Sequence, residues 1–309
     1  ILTRMNQMNT TPAHTPDPTA DAPPAKWLMG LIGCGIQRSL TPALQEEEAR
    51  QHGLRLHYQL IDLDAAQAGP EELPTLIEAA RVMGYHGLNI TYPCKQLVIP
   101  LLDELSPEAA AIGAVNTVVF KEGRLIGHNT DASGWTLGLV DGLPDADLSR
   151  VVLLGAGGAG AAIAHAVLRL GAQHLVVVDQ DSTRADELAL GLQACYGADK
   201  ASAQADVAPA MAGASGLIHA TPTGSDKLPG LPLPEELLRP EMWVSEIVYF
   251  PLDTALLKVA RAKGCRTVDG GGMAVGQAVG AFELVMGSKA DAQRMRQHFL
   301  QLIRLRSDA

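Results

Sequence analysis

Three glycines and one carboxylate within residues 151–179 carry the clearest chemistry of this 309-residue sequence. The run VVLLGAGGAGAAIAHAVLRLGAQHLVVVD puts Gly155, Gly157 and Gly160 at the glycine positions of G-x-G-x-x-G. Val151 to Leu154 form an apolar run suited to a buried strand, Ile163, Val167 and Leu170 recur at helical spacing, Gly171 stops the helix, and LVVV reads as a second strand. The glycines serve three different needs, in order a tight turn, close approach of backbone to a pyrophosphate, and close packing of helix on strand. The unit therefore reads as a dinucleotide turn, with Gly155, Ala156, Gly157, Gly158 and Ala159 as candidate contacts. Asp179 ends the second strand, where a carboxylate accepts hydrogen bonds from both ribose hydroxyls and repels a 2′-phosphate. That favours NAD, with NADP the lesser alternative. Arg184 is the nearby cation that a phosphate would need and is kept as a cofactor candidate, although its place suits the exposed first turn of a helix.

The elements that must position this chemistry follow from the pattern around it. WLMGLIG (27–33) reads as a strand, ALQEEEARQHG as a helix stopping at Gly53, and LHYQLIDLD (56–64) as a second strand. A helix over PEELPTLIEAARVMGYHG ends near Gly84 or Gly87, and LNITYP is a third strand leading into a loop with Lys95. A helix is expected around KQLVIPLLDEL, then two short strands in AVNTVVFKEGRLIGHNTD joined by a hairpin-type turn at Glu122 and Gly123, then a helix over ASGWTLGLVDGL. The βαβα alternation implies a parallel sheet with helices on both faces. Because the second α/β alternation runs to VDGGG (268–272), residues 273–309 are expected to return to the first domain as helices.

The fold class is thus α/β and two-lobed: an N-terminal α/β substrate domain, a Rossmann dinucleotide-binding domain, and C-terminal helices returning to the first lobe. Expected boundaries are a disordered tail over 1–26, a catalytic domain over 27–129 and 273–309, and a NAD-binding domain over 130–272. The tail is expected because TTPAHTPDPTADAPPAK has almost nothing to bury; Met5 or Met8 is a candidate native start. The cleft between the lobes is the expected site.

Composition narrows the function classes. With 47% hydrophobic residues, 19% charged and a net charge of −10, the chain reads as globular and lacks the basic, aromatic-interleaved stripe of a nucleic-acid binder. No run of transmembrane length or signal-peptide pattern is present, so a cytoplasmic protein without a membrane partner is expected. Cys34, Cys94, Cys195 and Cys265 form no C-x-x-C pair, which signals neither a metal site nor a disulfide framework; Cys94 reads as a buried apolar residue. The expected partner is a small molecule, with the chain a monomer or homodimer.

Eight segments in order, GLIGCGIQRSLTP, GLNITYPCKQ, AVNTVV, GHNTDASG, GAGGAG, ATPTG, VYFPLDTALL and GGMAVGQAVGAFELVMG, resemble the shikimate dehydrogenase family over roughly residues 28–287. The resemblance implies a catalytic Lys95 with Asp131, substrate contacts from Ser39, Thr41, Thr91, Asn116, Tyr249 and Gln277, and further cofactor contacts at Thr221 and Gly270. Thr41 stands where biosynthetic members usually have Ser, and Asp179 where NADP-using members carry an Asn-Arg-Thr cluster. Both features resemble the NAD-dependent quinate/shikimate dehydrogenase branch. His219 replaces the usual Asn of N-A-T and Ser225 the usual Met; His219 is assigned no chemistry.

The implied reaction is reversible oxidation of a ring 3-hydroxyl of quinate or shikimate. A polyhydroxylated carboxylate needs several hydroxyl and amide partners, which this residue set supplies. Desolvation of Lys95 favours the neutral amine and a neighbouring Asp131 favours the ammonium, so the sequence leaves the proton transfer unapportioned between them. Three alternatives stay open: an NADP-linked biosynthetic shikimate dehydrogenase, a paralogue acting on an altered ring, and a non-catalytic regulator sensing quinate or the cofactor. Retention of both Lys95 and Asp131 argues against the regulator.

Overall fold

The computed structural model describes residues 26–307, so the expected tail lies outside the described residues apart from Lys26, which already opens the first strand. The front half runs β1 (Lys26–Gly33), α1 (Thr41–Gln51), β2 (Arg55–Asp62), α2 (Leu63–Ala66), α3 (Leu73–Val82), β3 (Gly87–Ile90), α4 (Cys94–Leu97), β4 (Glu104–Leu105), α5 (Pro107–Ile112), β5 (Thr117–Lys121) and β6 (Arg124–His128). These strands form one sheet in the order β2-β1-β3-β5-β6-β4. It is mixed: β1 pairs in parallel with β2 and β3, whereas β5 pairs antiparallel with β3 and β6. The β5–β6 turn has positive φ at both Glu122 and Gly123, as a two-residue hairpin requires.

The segment expected as one helix around residues 95–105 is instead the short α4, a 3-10 turn at Ile99–Leu101 and the two-residue strand β4 beside β6. Pro100 explains the break, since it offers no backbone N–H and its ring blocks continuation of the preceding helical turn. Strand β2 likewise stops at Asp62, two residues early, because the Asp62 side chain caps α2 by accepting from the Asp64 N–H.

Helix α6 (Asp131–Gly142) leads to the rear half: β7 (Val151–Leu154), α7 (Gly158–Arg169), β8 (Leu175–Val178), α8 (Ser182–Tyr196), β9 (Ala201–Ala203), α9 (Val207–Met211), β10 (Gly216–His219), β11 (Trp243–Glu246), α10 (Ala255–Ala262) and β12 (Arg266–Val268). All six strands are parallel, in the order β12-β11-β10-β7-β8-β9. Val151 and Leu153 enter the core on one face of this sheet, and Val152 and Leu154 the core on the other. Burial on both faces is why these strands read as unbroken apolar runs. Strand order reverses between β8 and β10 at β7, and the glycine turn leaves β7 at that switch point.

Helices α11 (Gly271–Met286) and α12 (Ala292–Ser307) return to the front lobe. Met295 and Phe299 of α12 bury against Leu40, Leu44, Val275 and Ala278; burying Phe299 contributes about 1.5–3 kcal/mol. Helices α6 and α11 touch backbone to backbone. A side chain at Gly276 would come within 2.6 Å of the Gly134 Cα, and one at Gly272 within 2.9 Å of the Gly138 Cα.

A buried carboxylate ties α12 to α1. Glu48 accepts from Arg294 Nη2 at 2.6 Å, Arg294 Nε at 2.9 Å and the Asp291 N–H at 2.8 Å. Burial pushes its carboxyl upward, but Arg294, the Asp291 N–H and His52 outweigh this and hold it below the usual glutamate range. A lowered native value means the stabilisation is complete above the ordinary glutamate value and is lost as pH falls through the native one. Arg294→Ala should therefore cost about 1.5–3 kcal/mol at neutral pH and show a shallower acid loss than the parent, measured by urea unfolding at pH 7 and at about pH 4. Equal slopes in the two proteins would remove the pair from the stability account.

Candidate active site

A cleft of about 420 Å³ opens between the two sheets. Every expected catalytic and substrate residue lines it: Ser39, Thr41, Thr91, Lys95, Asn116, Asp131, Tyr249 and Gln277, together with Ala159 and Gly270 of the expected cofactor set. A larger, more open groove of about 670 Å³ lies on the far side of Thr130, between Ser106, Glu108, His128 and Lys289, and contains none of these residues. Converging polar groups, not volume, mark the first cleft as the candidate site.

At its floor Lys95 Nζ donates to Asp131 Oδ2 at 2.6 Å. Asp131 is fully buried and Lys95 is 18% exposed, so the ammonium meets the cleft and the carboxylate does not meet solvent. The other Asp131 oxygen accepts from Asn116 Nδ2 at 2.8 Å, and the Asp131 N–H donates to Asn129 Oδ1 at 2.9 Å. Asn116 is committed in full: Nδ2 also donates to Thr130 Oγ1 at 3.0 Å, and Oδ1 accepts from the Thr130 N–H at 2.9 Å and from Thr117 Oγ1 at 3.0 Å. With both amide hydrogens used, Asn116 braces Asp131 in this arrangement and has no donor left for a ligand.

Behind Asn116 the network continues through residues to which the resemblance assigns no role. Asn89 Nδ2 donates to Thr117 Oγ1 at 3.0 Å, and Tyr58 Oη donates to Asn89 Oδ1 at 2.7 Å. Burial, with Tyr249 nearby, pushes the Tyr58 hydroxyl well above its ordinary value, which keeps it a neutral donor. The signal that could have found them is a polar Asn89 between Leu88 and Ile90 in a buried strand.

Local folding sets the front wall. The loop Cys34–Leu40 is held by Asp62, which accepts from the Gly35 and Ile36 N–H groups at 2.9 and 3.0 Å. Burial works against the Asp62 charge, but these donors and Gln37 outweigh it and lower its pKa. So fixed, the loop presents Ser39, whose Oγ donates to Thr41 Oγ1 at 3.1 Å at the start of α1. Among the described residues the Thr91 hydroxyl and the Gln277 side-chain amide make no protein hydrogen bond and face the cleft. Buried Cys94, next to Lys95, has its thiol pushed up to about 11 by desolvation and by Cys34, which leaves it unreactive.

The rear wall is the glycine turn. Gly155 has φ +105°, and a side chain on Gly160 would strike the Gly155 carbonyl. Around Gly157 there is open space, and no side chain caps the N-terminus of α7, so its first-turn N–H groups remain available to an anion. The turn meets the front lobe directly, since a side chain begun at Gly158 would lie 3.4 Å from the Lys95 stem. Asp179 Oδ2 accepts from the Ala156 N–H at 2.7 Å and Oδ1 from the Asp181 N–H at 2.9 Å, with capacity for further donors. These features fit a dinucleotide. Arg184 stands largely exposed on the first turn of α8, ion-paired with Asp181 at 3.3 Å. Buried His219 bonds Glu246 at 2.8 Å through Nδ1 and Thr221 at 2.5 Å through Nε2, which holds Thr221 beside Gly155.

At the mouth, front and rear meet through Arg38. Its Nη1 donates to Asp226 Oδ2 at 2.9 Å and its guanidinium lies 4.2 Å over the Phe250 ring. Among the described residues no helix is long and apolar enough to cross a membrane, and no cluster of three or more His, Cys, Asp or Glu could hold a metal.

A mixed-sheet lobe facing a parallel dinucleotide-type sheet across a cleft with a buried Lys-Asp pair defines a two-lobed Rossmann-fold protein. Comparison with known proteins agrees. The model of the shikimate dehydrogenase substrate binding domain matches residues 31–118. A shikimate dehydrogenase (NADP(+)) of Streptomyces avermitilis is 56% identical over 278 residues, covering 89% of this chain and 96% of that protein. A quinate/shikimate dehydrogenase (NAD(+)) of Corynebacterium efficiens is 47% identical over 282 residues, covering 89% and 98%. Among solved structures, quinate dehydrogenase from Corynebacterium glutamicum in complex with NAD superposes with a TM-score of 0.84 at 44% identity, covering 89% of this chain and 99% of that one. The chain belongs to the shikimate dehydrogenase family.

Because Asn116 satisfies a buried carboxylate oxygen and a buried N–H at once, Asn116→Ala should lower the unfolding free energy by about 1–3 kcal/mol in a urea titration. A loss below about 0.5 kcal/mol would show that the network re-forms without it.

Proposed function

We propose that this protein catalyses the reversible oxidation of the 3-hydroxyl of quinate or shikimate to 3-dehydroquinate or 3-dehydroshikimate, with NAD the preferred coenzyme. The observation that carries this reading is the 2.6 Å Lys95–Asp131 bond at the floor of the cleft, against the turn suited to a dinucleotide. A bound nicotinamide would take the hydride from the ring carbon. In the oxidation direction Lys95, being the partner of the pair that reaches the cleft, takes the hydroxyl proton as the neutral amine and becomes the ammonium, which returns the proton in the reduction direction, while Asp131 orients it and stays buried. Ser39, Thr41 and Tyr249 receive the substrate carboxylate, and Thr91 and Gln277, whose polar groups are uncommitted, receive ring hydroxyls. Asn116 acts by holding Asp131. An analogue lacking a hydroxyl would leave such groups unpaired, which is how the site discriminates.

Support for NAD comes from Asp179 at the end of β8 and from the likeness to the NAD-bound Corynebacterium glutamicum enzyme. A second reading, NADP, is favoured by the name of the Streptomyces avermitilis relative and by Arg184 on the neighbouring helix turn.

Reduced-nicotinamide absorbance, followed with quinate or shikimate and with NAD or NADP, tests both readings. Lys95→Ala should lower kcat by about 10²–10⁴-fold while coenzyme binding, read by fluorescence titration, changes little; normal turnover would take Lys95 out of the mechanism. Asp179→Ala should narrow the NAD:NADP ratio of kcat/KM by about tenfold, the scale of a lost charge-assisted hydrogen bond. An unchanged ratio would place discrimination elsewhere.

A further inference from the structure

Five ionised side chains line the cleft: Arg38, Lys95 and Lys227 against Asp131 and Asp226. Two of the cations are already matched, Lys95 by Asp131 at 2.6 Å and Arg38 by Asp226 at 2.9 Å. Lys227 is not; among the described residues it forms no ion pair. The charged side chains lining the cleft therefore sum to one positive charge, in a chain whose net charge is −10.

The place of that charge is specific. Lys227 follows β10 in the rear lobe, yet its ammonium lies where a side chain at Gly35 would begin, over the front-lobe loop that carries Ser39. The Asp64 carboxylate approaches the same point from the front lobe but makes no ion pair with Lys227. Two contacts fix the reach of Lys227: Asp226, the residue before it, is held by Arg38, the residue before Ser39, and Ser225 bridges to Leu228. An ammonium placed there without an ion pair can meet a ligand carboxylate entering the cleft, and a charge-assisted hydrogen bond to it is stronger than a neutral one.

We infer that Lys227 is a specificity-determining residue that receives the carboxylate of the substrate across the cleft, adding a charged partner from the dinucleotide lobe to the hydroxyl donors Ser39 and Thr41. This rests on the reading of the substrate as a ring carboxylate. It gives the substrate one contact that exists only when the lobes face each other as they do here.

Steady-state kinetics of the full chain, Lys227→Met and Lys227→Arg, varying substrate and coenzyme separately, test the inference. Lys227 is exposed, so its replacement leaves the core untouched. Lys227→Met should raise KM for quinate or shikimate about tenfold or more while kcat changes less than about threefold. Lys227→Arg should recover most of that loss, and the fall of kcat/KM with added salt should flatten in the Met variant. A substrate KM unchanged within about twofold overturns the role of Lys227 alone. A rise confined to the coenzyme KM also overturns it, by assigning the ammonium to a phosphate. A parent chain that turns over neither substrate overturns the underlying reading, and this inference with it.

Discussion

The buried carboxylate of Asp131 is the constraint around which the site is organised. An unpaired charge in such a place costs several kcal/mol, so both of its oxygens must be met, and by groups that cannot drift. Lys95 meets one and Asn116 the other, from α4 and from the segment entering β5. Asn129 takes the backbone N–H and is itself anchored by donating to the Ala114 carbonyl at 3.0 Å. Three separate stretches of chain are thereby brought to one point. The ammonium is the most exposed member of this group, so the same bonds that satisfy Asp131 also aim Lys95 into the cleft.

That point is held in the molecule by helix packing as much as by hydrogen bonds. Asp131 opens α6, and the glycine contacts with α11 set where α6 can lie. Gln277 sits one residue beyond Gly276 on α11, so the contact that seats one functional side chain seats the other. Trp135 adds a bond from α6 to Ser245 of β11 at 3.0 Å, which carries the register into the rear sheet.

Much of this is legible in the sequence, and the parts that are not share a cause. The glycine turn, its strand and helix, and the hairpin at Glu122 and Gly123 are local patterns, set by glycine conformation and by period, and they appear where expected. The eight catalytic and substrate residues expected by resemblance gather in one cleft, each within one of the matching segments, whereas Thr221, also expected by resemblance, does not line it. The helix over residues 95–105 fails because its apolar residues fit a helical period while Pro100 forbids the bonds. Asn116 as a brace, and the Tyr58–Asn89–Thr117 chain behind it, depend on which strands lie side by side. Arg38 and Asp226 pair across 188 positions, a distance no local rule spans.

Two of the places where the lobes touch differ greatly in strength. At the back, α6 and α11 meet with no side chain between them, so they cannot slide or part without opening a void. At the front, Arg38 and Asp226 form a solvent-exposed pair, 65% and 46% accessible, of a kind worth about 0–1 kcal/mol. The molecule is thus built like a clasp, stiff along its spine and lightly fastened at its lips. The weaker of these two fastenings thus stands at the mouth, where a ligand as large as a dinucleotide would have to pass, and the stiffer one stands behind the floor that carries Lys95.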